Sequence, residues 1–143
     1  MKNWYKPLTY QPKIEAVKAG TCRQTIRYWN PKQPLPNPEE DTITIFTWSG
    51  KPYRSPWGWR CTYYLEDILP AALYVDEDGI PEKFTIWDMD IDKEDLDDLA
   101  KDDGIDPPTY DALFDVLLGM LKGKPILNEI FGNTYYPLLI WKW

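Results

Sequence analysis

The chain of 143 residues contains no histidine. That absence excludes Ser-His-Asp and Cys-His catalysis, two-histidine zinc proteases and any histidine pH switch. Cysteine is nearly as scarce, with only Cys22 and Cys61. A zinc site would need carboxylates to complete it, and the deaminase zinc centre, which needs three His or Cys ligands, is excluded. No apolar run approaches the roughly 18 residues of a membrane span, so no membrane partner is expected. The opening Met1-Lys2-Asn3-Trp4-Tyr5 meets Lys6-Pro7 before a signal-peptide core can build. Two distant cysteines without an export signal read as reduced thiols in a cytoplasm. No metal or other cofactor is expected, and any catalysis falls to Lys, Thr, Tyr, Cys or carboxylates.

What is plentiful is aromatic and proline. Eight Trp, ten Tyr and fourteen Pro indicate short strands joined by structured loops. The aromatics either fill a core or line a stacking site. Charge is unevenly divided. Residues 1–75 hold 10 Lys/Arg against 6 Asp/Glu, net +4, and residues 76–143 hold 6 against 17, net −11. The overall −7 therefore permits a local positive groove in the first half.

Pro7–Tyr10 reads as a short strand and Lys13–Ala19 as a helix ended by Gly20. Thr21–Trp29 is rich in strand formers, and four prolines in Asn30–Pro38 dictate an exposed loop. Thr42–Trp48 alternates as a strand, Trp57–Leu65 pairs with it, and residues 71–87 form strand, turn, strand. Two helices follow, over Asp92–Asp103 and, from an Asp106 cap with Pro107 at its first position, over 107–122, ended by Gly123. Thr134–Trp143 is a closing strand whose Pro137 belongs at an edge or bulge. The expected fold is one α+β domain over 1–143: a small, mostly antiparallel β-barrel with a short N-terminal helix and two late helices.

Three segments carry chemistry. The acidic run from Asp88 fails as a calcium loop, because its sixth and twelfth positions are Lys93 and Leu99 instead of Gly and Glu. It reads as a solvated helix start, within an acidic stretch over 76–115 of 16 acids and 3 lysines that could hold a basic protein partner. The hairpin residues Tyr53, Arg54, Trp57 and Trp59 interleave aromatics with cations, as base stacking and phosphate contact require, or as a core-facing hairpin would. In Gly20–Arg27, a glycine-ended helix leads into Arg23, Gln24, Thr25 and Arg27, donors for an anion or base edge or simply a polar strand face.

Ala19-Gly20, Thr25-Ile26-Arg27 and the strand from Asp41-Thr42 resemble the ASCH domains, relatives of the PUA RNA-binding barrel. The resemblance covers most of the chain and implies a PUA-like barrel, with residues 66–88 read as an insertion. Some ASCH proteins are similar to bacterial N4-acetylcytidine amidohydrolases, which act through a Lys, a Thr and a Glu. The resemblance puts the Thr at Thr25 and the Glu at Asp103, but the Lys position holds Cys22. Cysteine supplies a nucleophile and no cation. The expectation is therefore a module binding RNA or a modified nucleoside or nucleotide through Arg23, Gln24, Thr25, Arg27, Tyr53, Arg54, Trp57 and Trp59. The alternative is an amide hydrolase using Thr25, Cys22 and Asp103, which requires those side chains to share one cleft.

Overall fold

A computed structural model describes residues 1–129 and 132–143. The element order is β1 (Asn3–Pro7), α1 (Gln11–Ala19), β2 (Gln24–Tyr28), β3 (Thr42–Trp48), β4 (Trp57–Tyr64), β5 (Asp67–Val75), β6 (Pro81–Ile86), β7 (Met89–Asp90), α2 (Lys93–Asp102), α3 (Tyr110–Leu121), β8 (Leu127–Asn128) and β9 (Thr134–Lys142). The class is α+β with mostly antiparallel sheets.

The organising strand is the last one. In β9, Leu138 and Ile140 point one way and Leu139 and Trp141 the other, and all four are at most 2% exposed. A strand apolar on both faces needs cover on both sides. Leu138 and Ile140 pack with Leu73, Phe84 and the helical leucines Leu96, Leu113 and Leu117. Leu139 and Trp141 pack with Ile43 and Ile45 of β3, Ile14 and Val17 of α1, and Ile68. Three layers result: a small sheet β1-β3-β4, a larger sheet β2-β9-β5-β6-β7, and the α2–α3 pair. Each fully buried Leu or Ile contributes roughly 1.5–3 kcal/mol of transfer free energy.

The expected closed barrel is not formed, because the strands fall into two separate sheets. The chain crosses between them at Leu65–Glu66. There Leu65 N–H donates to Asp41 O (3.2 Å) and Glu66 N–H to Lys142 O (2.8 Å), handing the ladder from β3 to β9. Residues 66–88 supply β5 and β6, and β5 pairs with β9 over nine registers.

Several local expectations shift for physical reasons. The first strand is Asn3–Pro7 rather than 7–10, and it runs parallel to β3. The last helix starts from Thr109 rather than Asp106. Pro108 forces the residue before it out of helical geometry, and Thr109 Oγ1 instead accepts from Ala112 N (3.3 Å). Pro137 lies inside a central strand rather than at a sheet edge. It falls between the last β2 register (Tyr28 with Leu138) and the first β8 register (Leu127 with Tyr135), where no ladder partner needs its missing N–H.

Candidate functional site

β2 is an edge strand, so one side of it is open. A cleft of about 420 Å³ lies along it. Val116, Leu117 and Met120 of α3 and Leu8 and Tyr10 line its apolar wall, and Lys13, Thr25, Arg27, Asp103 and Asp115 are its polar groups. Trp29 N–H donates to Pro137 O and Trp143 N–H to Arg23 O, so the odd-numbered residues around β2 turn their peptide groups toward β9. By alternation, Ile26 turns its N–H and C=O to the open edge, where its residue lines the cleft.

The floor is a buried polar cluster. Lys13 Nζ donates to Asp103 Oδ2 at 3.0 Å, and Gln24 Nε2 donates to Asp103 Oδ1 at 3.3 Å. Arg27 Nε donates to Thr25 Oγ1 at 3.0 Å, and its Nη2 donates to the Pro7 carbonyl. Lys13, Gln24, Thr25 and Asp103 are all buried. Burial pushes the Asp103 carboxyl above its ordinary range, against the downward pull of the Lys13 ammonium and the two hydrogen bonds. Burial likewise pushes the Arg27 guanidinium down, while Asp103 and Tyr53 favour its charge. A buried carboxyl shifted by desolvation, with a cation beside it in a cleft, is the pattern of a functional site.

Local sequence explains the placement. Lys13, Ile14 and Val17 form the buried face of α1, which puts a lysine on the helix side that meets the sheet. Asp103 caps the C-terminus of α2, and Gly104 after it turns back with φ 71°. A Cβ on Gly104 would lie 3.1 Å from Lys13 Cα, so only glycine allows this approach of α2 to α1.

Three sequence expectations change. Cys22 does not line the cleft. It is 1% exposed, its thiol donates to Gln24 O (3.3 Å), and burial pushes its pKa up, so it is a packed thiol outside the cleft. Arg23 precedes the strand and turns away, with Nε donating to Trp143 O (2.8 Å). Lys13, which sequence reading passed over, places an ammonium in the cleft floor. The available signal was its place beside Ile14 and Val17 on one helix face.

The aromatic hairpin residues also part company. A bulge after Phe46 pairs Trp48 with Trp57 but Phe46 with Arg60. Trp57 therefore stacks on Phe46 (4.1 Å between centroids) on the outward face of the small sheet, whereas Trp59 packs against the inter-sheet core. Tyr53 and Arg54 sit exposed in the turn, and Tyr53 rests against Trp48 (5.1 Å).

In the acidic stretch, several carboxylates have structural tasks. Asp76 Oδ1 closes a turn by accepting from Asp78 and Ile80 N–H, Asp92 caps α2, and Asp97 accepts from Tyr110 N. Among the described residues no group of three or more His, Cys, Asp or Glu could hold a metal ion, and no helix is long and apolar enough to cross a membrane. No family model, curated protein or solved structure matches the chain.

Proposed function

We propose that this chain is an ASCH-type, PUA-like domain whose cleft binds an uncharged nucleoside or modified base, free or within RNA. The observation that carries the reading is the convergence of Lys13, Thr25, Arg27 and Asp103 beneath the apolar wall of α3. A heterocycle fills such a space: its ring lies against Val116, Leu117 and Met120, and its edge meets donors and acceptors on the floor. The open peptide group of Ile26 adds one donor and one acceptor side by side, as a base edge demands. Two cations and two carboxylates line the cleft, so its charge is balanced and favours a neutral ligand over a polyphosphate. The two free cysteines fit a reducing cytoplasm.

The test is a titration of the protein with unmodified and N-acetylated nucleosides, followed by backbone amide shifts. Saturable shifts centred on Ile26, lost in Thr25→Val and insensitive to salt, are expected. A panel that leaves those amides unmoved overturns the reading.

One observation favours a second reading, hydrolysis of an acylated nucleoside: the required amine is present at Lys13. Thr25 Oγ1 would add to the acyl carbon and pass its proton to the Lys13–Asp103 pair. That proton would move to the departing nitrogen, and water would release the acyl group as acid. Arg27, moved off Thr25 Oγ1 by the incoming acyl group, would stand beside it and stabilise the negative charge that develops on the acyl oxygen. Thr25 has no exposed surface, so the substrate must displace the Arg27 side chain to reach it. Release of acetate from an N-acetylated nucleoside, lost in Lys13→Met and kept in Cys22→Ala, is the expected result.

A further inference from the structure

The hollow on the outward face of β1-β3-β4 shares no lining residue with the cleft and is built differently. From Thr42 to Tyr64 the chain carries no Asp or Glu, and its charges are Lys51, Arg54 and Arg60. All three cations are exposed. In a chain of net charge −7, an acid-free sheet with its hairpin is a distinct positive region.

The same face is aromatic. Tyr5 is 55% exposed and lies 5.6 Å from Trp57, with Trp57 supported from beneath by Phe46. Arg60 stands over the Trp57 ring at 5.7 Å. Tyr53 at the hairpin tip is 81% exposed. Beside the rings runs a polar strip in which Asn3 Nδ2 donates to Thr44 Oγ1 (2.9 Å) and Thr44 and Thr62 share a bond of 2.7 Å. Asn3, Tyr5, Thr44, Trp57, Arg60 and Thr62 together line a shallow hollow.

We infer that this sheet face binds single-stranded nucleic acid. Tyr5 and Trp57 each present a ring on which a base stacks, and every base has such a face, so the contact tolerates sequence. Arg60, Arg54 and Lys51 neutralise backbone phosphates. Asn3, Thr44 and Thr62 supply exchangeable donors and acceptors for base edges. A duplex hides its base faces, so the same surface favours single strands over duplex. The inference does not depend on a ligand in the cleft.

The experiment is fluorescence anisotropy of a short labelled oligouridylate, the matching oligothymidylate and a duplex of equal length, at low and at physiological salt. Single strands are expected to bind more tightly than duplex, with a log–log salt slope of about −2 for three phosphate contacts. Tyr5→Ala and Arg60→Glu are each expected to weaken single-strand binding by at least about tenfold. Both positions are exposed, and Trp57→Ala is avoided because it removes packing on Phe46. Thr25→Val separates the two readings: oligonucleotide binding lost in Thr25→Val but kept in Tyr5→Ala places the strand in the cleft and overturns this inference. A preference for oligouridylate assigns RNA and equal affinity assigns any single strand; both support the inference. Absence of binding, equal binding of duplex, indifference to both substitutions, or a stable dimer that Tyr5→Ala dissociates overturns it.

Discussion

Lys13 and Asp103 meet at 3.0 Å in the cleft floor although 90 positions separate them in sequence. The pair joins α1 to the end of α2, and Gln24 ties both to β2. Removing one partner strands the other charge in a buried place, at a cost of about 3–5 kcal/mol. Asp103→Asn and Lys13→Met are therefore each expected to lower the urea midpoint sharply. The double variant Lys13→Met/Asp103→Leu is expected to recover much of the loss, because an apolar pair carries no desolvation penalty. A double variant as unstable as the sum of the singles would show that the two residues act independently. All three variants are expected to lose nucleoside binding.

Gly104 tests whether that geometry depends on close approach. Its φ of 71° strains any L side chain, and an added Cβ would meet Lys13 Cα at 3.1 Å and Cys22 Sγ at 3.4 Å. The first of these is backbone and cannot swing aside. Gly104→Ala is expected to cost about 2–4 kcal/mol, combining left-handed strain with overpacking. Gly79→Ala has the same sign of φ but nothing within 4 Å, so it is expected to show the strain alone. Comparing the two unfolding midpoints separates the contributions.

The strand Thr42–Trp48 was legible from sequence because Ile43 and Ile45 alternate with threonines and only one side meets the core. Asp103 was named through the ASCH resemblance, which puts its Glu position at a helix end, and the structure places that residue in the cleft lining. Lys13 was not legible, since a lysine in a short helix ordinarily points to solvent, and its burial depends on a partner far away in the chain. The division of Trp57 from Trp59 was hidden for another reason. Strict alternation puts both on one face, and the bulge after Phe46 moves one of them. Two-sheet layering rather than closure follows from how the chain crosses at Leu65–Glu66, which periodicity cannot encode.

Lys6 predicts a pH effect. It points inward from β1 over the Trp141 ring (4.7 Å), and burial, then Arg27, then Lys2 lower its pKa from 10.5 to about 8. Below pH 8 Lys6 is charged in both states, and the folded state bears the full penalty of holding that charge. Between 8 and 10.5 the unfolded chain binds more protons than the fold, so stability from this residue rises with pH. Lys6→Met is therefore expected to stabilise the protein near neutral pH by about 1–2 kcal/mol, after loss of the cation–π contact. The advantage is expected to fade as the pH approaches 10.5. Urea midpoints of both proteins across that range check the sign, and a gain that grows with pH would contradict it.

The two thiols are expected to differ in reactivity. The thiolate is the reacting species, and Cys22 is 1% exposed, with burial pushing its pKa up and its proton donated to Gln24 O. Cys61 is only half-buried on β4. A chromogenic disulfide reagent is expected to modify one thiol per chain rapidly and the second only in denaturant. Cys61→Ala should remove the fast phase and Cys22→Ala the slow one. Because Cys61 lies on β4 and does not line the cleft, blocking the fast thiol should leave nucleoside binding intact. A fast reaction at Cys22 would instead mean that the α1–α2 contact opens readily. The Lys13–Asp103 floor would then be exposed to water for part of the time, and its balanced charge could no longer select an uncharged ligand.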